Sequence, residues 1–272
     1  MLFLGDSVAR NQLESLLCLL SQVPYPTEVE NYDDDDNFRE LLIKSHNFTI
    51  YFVRSTFLVQ NVEIMENSNA STGSFNLHID KVDERWAKIL PAMDYAIIFD
   101  GNWFFRRNYL YEDGKLLGCV HCNDSNVTNL SLTFGITKIF RTALNFINSC
   151  KDCKSGLVTF LGTFSPAHFE RGAWNSGGYC NKTSPSKRQL TLGGFDLEIR
   201  TAQVVDVTKA MIIRPDGHPN SHWGNQWNKG INDCLHWCLP GPIDLWNEFL
   251  LALLKKGVGL HLISRWLSIF HI

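Results

Sequence analysis

Two short stretches carry residue types that together can do acyl-transfer chemistry. The first is Gly5-Asp6-Ser7, at the end of the apolar run that opens the chain. The second is Asn232-Asp233-Cys234-Leu235-His236. A serine hydroxyl is a weak nucleophile until a base takes its proton. An imidazole held in the right tautomer by a carboxylate is such a base. Asp233 and His236 are three residues apart and share one face of a turn or first helical turn. Gly-Asp-Ser alone and Asp-x-x-His alone are both common, the second often as a surface turn. Their joint placement carries the reading, with Ser after the first strand, Asp-x-x-His before the last helix, and the chain order Ser, Asp, His.

The elements around these residues fit that chemistry. Met1–Gly5 reads as a strand. Val8, Leu13, Leu16, Leu17 and Leu20 follow at helical spacing. A Ser on a tight strand-to-helix turn holds its Oγ clear of the sheet, and the N–H groups of the helix N-terminus point at whatever it attacks. Tyr95–Phe99 is a continuous apolar run, the mark of a buried parallel strand. Asn102 and Trp103 lie just past its C-terminal end, where ligands bind in open α/β sheets. The Asn102 side-chain N–H can help hold an oxyanion; a plain turn residue is the alternative. Gly156–Phe164 reads as another buried strand, followed by His168, a candidate for substrate contact or for a structural hydrogen bond to backbone.

Elsewhere the pattern predicts a strand over Phe48–Val59, a polar turn over Asn67–Ser74 and a short strand over Leu77–Ile79. It predicts helices over Asp80–Leu90, Leu132–Ile147 and Ile243–Leu254, a helix or strand over Ile199–Asp206, and a strand over Ala210–Arg214. Val23–Pro26 is a breaker, Asp33–Asp36 a solvated acidic run, and Pro215–Trp227 a long loop. No internal repeat is visible. The fold class is therefore α/β, three layers with a central, mostly parallel sheet.

Composition narrows the classes. At 272 residues with 44% hydrophobic and 19% charged content, the chain can bury one large core. A net charge of -3 leaves no electrostatic footprint for nucleic acid. Eight cysteines include two Cys-x-x-Cys pairs, 119/122 and 150/153. They allow a four-thiolate zinc site or disulfides. Six Asn-x-Ser/Thr sequons, at Asn47, Asn69, Asn123, Asn126, Asn129 and Asn181, favour disulfides in an oxidising compartment, with no metal.

GDSVARNQLESLLCLL (5–20), GNWFFR (101–106), TFSPAHFERGAWNSGGYCNKTSP (163–185), RPDGHP (214–219) and NDCLHWCLPGPIDLWNEFL (232–250) together resemble the plant trichome birefringence-like family of polysaccharide O-acetyltransferases. The resemblance implies an SGNH-hydrolase-like (flavodoxin-like) catalytic domain over residues 1–256, with an atypical tail over 257–272. It implies acetylation of a cell-wall polysaccharide of xyloglucan, mannan or xylan type in the Golgi lumen. It implies no bound cofactor, with acetyl-CoA or another luminal acetyl donor as co-substrate. Carried over residue by residue, Ser7 is the nucleophile, His236 the base and Asp233 its orienter. Asp6, Arg10, Asn102, Trp103 and His168 are candidates for oxyanion or substrate binding, with Arg10 beside the acyl group or supporting Asp233. The family's N-terminal membrane anchor and Trp/Cys-rich segment have no counterpart among these residues, so the chain is expected to be a fragment or a truncated gene model. The competing expectations are a carbohydrate acetylesterase using the same triad and an inactive glycan-binding fragment.

Overall fold

The structure is a computed structural model and describes residues 1–21, 27–28, 37–122, 124–186, 203–222 and 230–257. The Val23–Pro26 breaker, the acidic run at 33–36, the sequon at Asn123 and the tail from 258 onward lie outside these residues. In chain order the elements are β1 (Leu2–Gly5), α1 (Ser7–Leu20), β2 (Thr27–Glu28), β3 (Phe38–Ile43), β4 (Phe48–Arg54), β5 (Val59–Met65), β6 (Ser71–Val82), α2 (Glu84–Ala87), β7 (Tyr95–Phe99), β8 (Asn108–Glu112) and β9 (Lys115–Val120). They continue with α3 (Leu132–Asn148), β10 (Val158–Gly162), β11 (Gln203–Val205), α4 (Thr208–Ile212) and α5 (Asp244–Gly257).

A seven-stranded sheet runs in the order β11-β10-β7-β1-β4-β3-β2. Its first five strands are parallel, and β3 and β2 add an antiparallel edge. Numbered along the sequence, the parallel strands lie in the order 2-1-3-4-5, the flavodoxin-like arrangement. Side-chain alternation divides the core in two. Phe3, Ile97 and Phe99 face α1 and α5 with Leu13, Leu16, Trp246 and Leu250. Leu2, Leu4, Ala96 and Ile98 face α3 with Ile136, Ile139, Phe140 and Ala143. The three-layer expectation is borne out, since both faces of the sheet are covered.

The second face also carries a feature that the sequence reading missed. A four-stranded sheet, β5-β6-β8-β9, packs beside α3. The run expected as one strand over Phe48–Val59 breaks after Arg54, where Leu58 adopts φ 61°, and Val59 opens β5 in the new sheet. The polar turn and short strand expected over 67–79 are largely one twelve-residue strand, β6, which takes Asp80–Val82 from the predicted helix. The helix itself is only Glu84–Ala87. Ala210–Arg214 is not a strand. Its residues up to Ile212 belong to α4, and a short apolar run cannot by periodicity alone be told from a buried helical turn.

Three disulfides form: Cys119–Cys122, Cys150–Cys153 and Cys180–Cys234. Each Cys-x-x-Cys pair closes on itself rather than joining the other around a metal. Cys18 and Cys238 are free thiols. Among the described residues, no cluster of His, Cys, Asp and Glu could hold a metal ion, and no helix is long and apolar enough to cross a membrane.

Candidate active site

The site lies at the switch point of the sheet, between the C-terminal ends of β1 and β7. Gly5 permits the approach. It sits at φ 145°, and a Cβ there would meet the Phe99 carbonyl oxygen at 1.8 Å. Asp6 then caps α1, its Oδ1 accepting the Val8 N–H at 2.8 Å. Ser7 is the first helical residue. Its own N–H is one of the donors that a helix start leaves unpaired, and it has no acceptor among the described residues.

His236 Nε2 lies 2.7 Å from Ser7 Oγ, and its Nδ1 lies 2.8 Å from Asp233 Oδ2. The other Asp233 oxygen accepts the N–H groups of Leu235 and His236. Burial pushes the Asp233 carboxyl up, but the hydrogen bonds and charge of His236 outweigh it and hold the group below the usual carboxylate range. Asp233 is 8% exposed. A buried, ionised carboxylate fixes Nδ1–H and leaves Nε2 free to accept the serine proton.

The loop that carries Asp233 and His236 is tied down on every side. Asp233 exchanges backbone hydrogen bonds with Asn220, and Cys180–Cys234 bonds its neighbour to the 163–185 segment. His218 Nδ1–H donates to the His236 carbonyl at 2.7 Å, and its ring stacks 4.1 Å from that of Trp237. Trp237 is buried, and its indole N–H donates to Ser165 Oγ. Asn11, one turn beyond Ser7, bonds both the N–H and the carbonyl of Trp237. Gln12, Ser15 and Asn247 continue this polar seam between α1 and α5.

In front of Ser7 opens a groove of about 680 Å³, lined by Asn102, Trp103, Phe105, Arg106, Phe164 and Trp174 among others. The Arg106 guanidinium sits 4.0 Å from the Trp103 ring centroid and 5.1 Å from that of Trp174. Burial lowers its pKa, with the Glu63 charge acting the other way. Trp174 and Phe105 are about half exposed, at 48% and 50%, and so offer flat faces to the groove.

The structure brings Ser7, Asp233, His236, Asn102 and Trp103 together around this opening. Asn102 lines the groove, and its backbone N–H is taken by Asp6 Oδ2 at 3.3 Å. Asp6 is completely buried behind the nucleophile and is not among the groove's lining residues. Arg10 stands on α1, half-buried, and is not among the groove's lining residues. His168 is not brought to the groove either. Its Nδ1 meets His218 Nε2 at 2.7 Å, and its Nε2 meets the Ile212 carbonyl at 3.1 Å. The sequence reading missed Arg106, Trp174, His218 and Asn11 as supporting residues. Phe105 and Trp174, large and exposed, are signals that only a surface can supply.

A 2-1-3-4-5 sheet with a Ser at the first strand's end and an Asp-x-x-His loop ahead of α5 defines an SGNH-hydrolase-like α/β protein. The chain belongs to the PC-Esterase family, described as the GDSL/SGNH-like acyl-esterase family found in Pmr5 and Cas1p, which matches residues 1–253. It is 47% identical over 275 residues to xyloglucan O-acetyltransferase 3 of Populus trichocarpa, covering 94% of this chain and 68% of that one. It is 44% identical over 273 residues to xyloglucan O-acetyltransferase 2 of Arabidopsis thaliana, covering 93% and 66%. To trichome birefringence-like protein 20 of Arabidopsis thaliana it is 38% identical over 279 residues, covering 94% and 58%. The trichome birefringence-like resemblance is thus borne out. The chain spans about two thirds of the length of the xyloglucan O-acetyltransferases it matches.

Proposed function

We propose that this chain is the catalytic domain of an O-acetyltransferase that acetylates hydroxyls of xyloglucan, through an acetyl-Ser7 intermediate. The observation that carries the reading is the hydrogen-bonded chain from Asp233 through His236 to Ser7, opening into an aromatic groove. The names of the relatives support the acceptor.

Ser7 Oγ attacks the acetyl carbonyl as His236 Nε2 takes its proton, and Asp233 stabilises the imidazolium. The oxyanion is held by the Ser7 N–H and the Asn102 side-chain amide. His236 returns the proton to the departing donor group, leaving acetyl on Ser7. A sugar hydroxyl then gives its proton to His236, attacks the ester and leaves acetylated with Ser7 restored. The donor is acetyl-CoA or another luminal acetyl compound. Trp174 and Phe105 offer the flat apolar faces on which a sugar ring stacks.

The site of action is the Golgi lumen. Three disulfides fit an oxidising compartment. The sequon residues Asn47, Asn69, Asn126, Asn129 and Asn181 are exposed and free to carry glycans.

The test is incubation with an acetyl donor, with and without xyloglucan oligosaccharide, followed by mass spectrometry of protein and sugar. Acetyl on Ser7, discharged to the oligosaccharide, is expected. Discharge only to water would favour the esterase, and acetyl on another residue would end the triad reading.

A further inference from the structure

Parallel strands β1 and β7 are in register, ending with Gly5 opposite Phe99. The next residue of each strand is an aspartate, Asp6 on one and Asp100 on the other. Adjacent strands lie only about 4.8 Å apart, and two ionised carboxylates directly opposite one another repel. Their hydrogen bonds show how this is avoided. Asp6 uses both oxygens as acceptors, Oδ1 from Val8 N–H at 2.8 Å and Oδ2 from Asn102 N–H at 3.3 Å. Asp100 Oδ1 accepts the Gly101 N–H at 2.7 Å. Asp100 Oδ2 is shut off from solvent and meets no donor among the described residues. The side chain within hydrogen-bonding reach of Asp100 is the Asp6 carboxylate, itself an acceptor. Only a proton between the two satisfies that contact.

We infer that Asp100 is a positioning residue that works in its neutral acid form, donating a hydrogen bond to Asp6 and so fastening the Gly101–Asn102 turn to the nucleophile turn. This rests on the proposed roles of Ser7 and Asn102. Asp6 thereby gathers three donors: the helix start that carries Ser7, the Asn102 backbone and the Asp100 hydroxyl. The Asn102 turn, which lines the groove with Ser7, would otherwise hang on one long bond. Gly101 sits at φ 152° with Phe164 3.2 Å from where its Cβ would be, so the turn has little room to settle elsewhere.

The charge environment agrees. Burial pushes the Asp100 carboxyl well above the usual range, and the Asp6 charge adds to that. Burial also raises Asp6, against the Val8 N–H and the nearby His236, which favour its ionised form. The titratable groups that act on the pair are each other and, at Asp6, His236 from the loop across the site. Raising the pH until Asp100 ionises sets two anions opposite one another and parts the turn from α1.

Two measurements test this. Infrared spectra of the intact chain at neutral pH should contain a protonated-carboxyl band that vanishes in Asp100→Asn. Absence of the band in the wild type, or its survival in a folded variant, overturns the inference. This arm needs no catalysis, so it stands apart from the fate of the triad. The second arm is the rate at which a fluorophosphonate labels Ser7 as pH varies. The wild-type rate should fall at alkaline pH. Asp100→Leu should slow labelling about tenfold or more at neutral pH. Asp100→Asn, whose amide donates to Asp6 while its oxygen still accepts from Gly101, should recover most of that rate and lose the alkaline fall. An Asn variant with the wild-type alkaline fall overturns the inference, whereas no labelling of Ser7 in any form would sink the triad reading instead.

Discussion

Asn11 grips the backbone of Trp237 with both ends of its side-chain amide: Trp237 N–H donates to Oδ1 at 2.7 Å, and Nδ2 donates to the Trp237 carbonyl at 3.1 Å. Asn11 rides on the helix that begins with Ser7, and Trp237 directly follows His236. The clamp therefore sets the distance between nucleophile and base. Asn11→Ala should cost about 2 kcal/mol or more, since it leaves an N–H and a carbonyl unpaired. It should also lower turnover about tenfold per folded molecule by loosening that distance. Melting temperature and turnover, measured together, check this. Unchanged turnover in the folded variant would make the clamp structural only.

Asp233→Asn should lower turnover at least about a hundredfold. The amide keeps the shape but can present N–H to His236, favouring the wrong tautomer; in the serine proteases such a change costs about four orders of magnitude. Asp244→Asn is the contrast. Asp244 accepts from Ser15 Oγ at 2.6 Å and from Gly241 N–H at 3.0 Å, so its loss should cost about 1 kcal/mol of stability and spare the chemistry. A Tm scan and an initial-rate assay on each variant separate the two. Equal effects on turnover would mean that Asp233 is not a special orienter.

Trp174→Ala should weaken acceptor binding, raising KM for the oligosaccharide about tenfold. It removes a stacking face and one side of the Arg106 sandwich. Acylation of Ser7 by a small acetyl ester should change little. If the variant loses small-ester acylation but keeps its acceptor KM, the groove serves the donor.

Much of this was legible in the sequence, for reasons that differ by element. β1, β7 and β10 are buried on both faces, so their apolar runs identified them without any knowledge of their partners. α1 and α3 announced themselves by period. The second sheet was hidden because β5 and β6 expose one side, mix polar residues such as Gln60, Asn61 and Asn76 into their length, and find their apolar side only against α3. The β8–β9 hairpin had a usable local signal in Asp113-Gly114, whose φ values of 49° and 74° suit its tight turn. The Ser, Asp and His of the site were findable because their chemistry restricts residue type and order. Their supports were not: Asn11 and His218 act on backbone atoms 226 and 18 residues away, and no local pattern encodes such a partner. His168 shows the converse, a residue in the right loop whose ring turns inward.

Ser7 and His236 are 229 residues apart. A growing polypeptide therefore displays the hydroxyl before the base exists, His236 being added 229 residues after Ser7. Throughout that interval the serine is an ordinary alcohol. Reactivity arrives as a late event in the life of the molecule, when α5 docks on α1 and the loop that carries Asp233 and His236 closes over the waiting nucleophile.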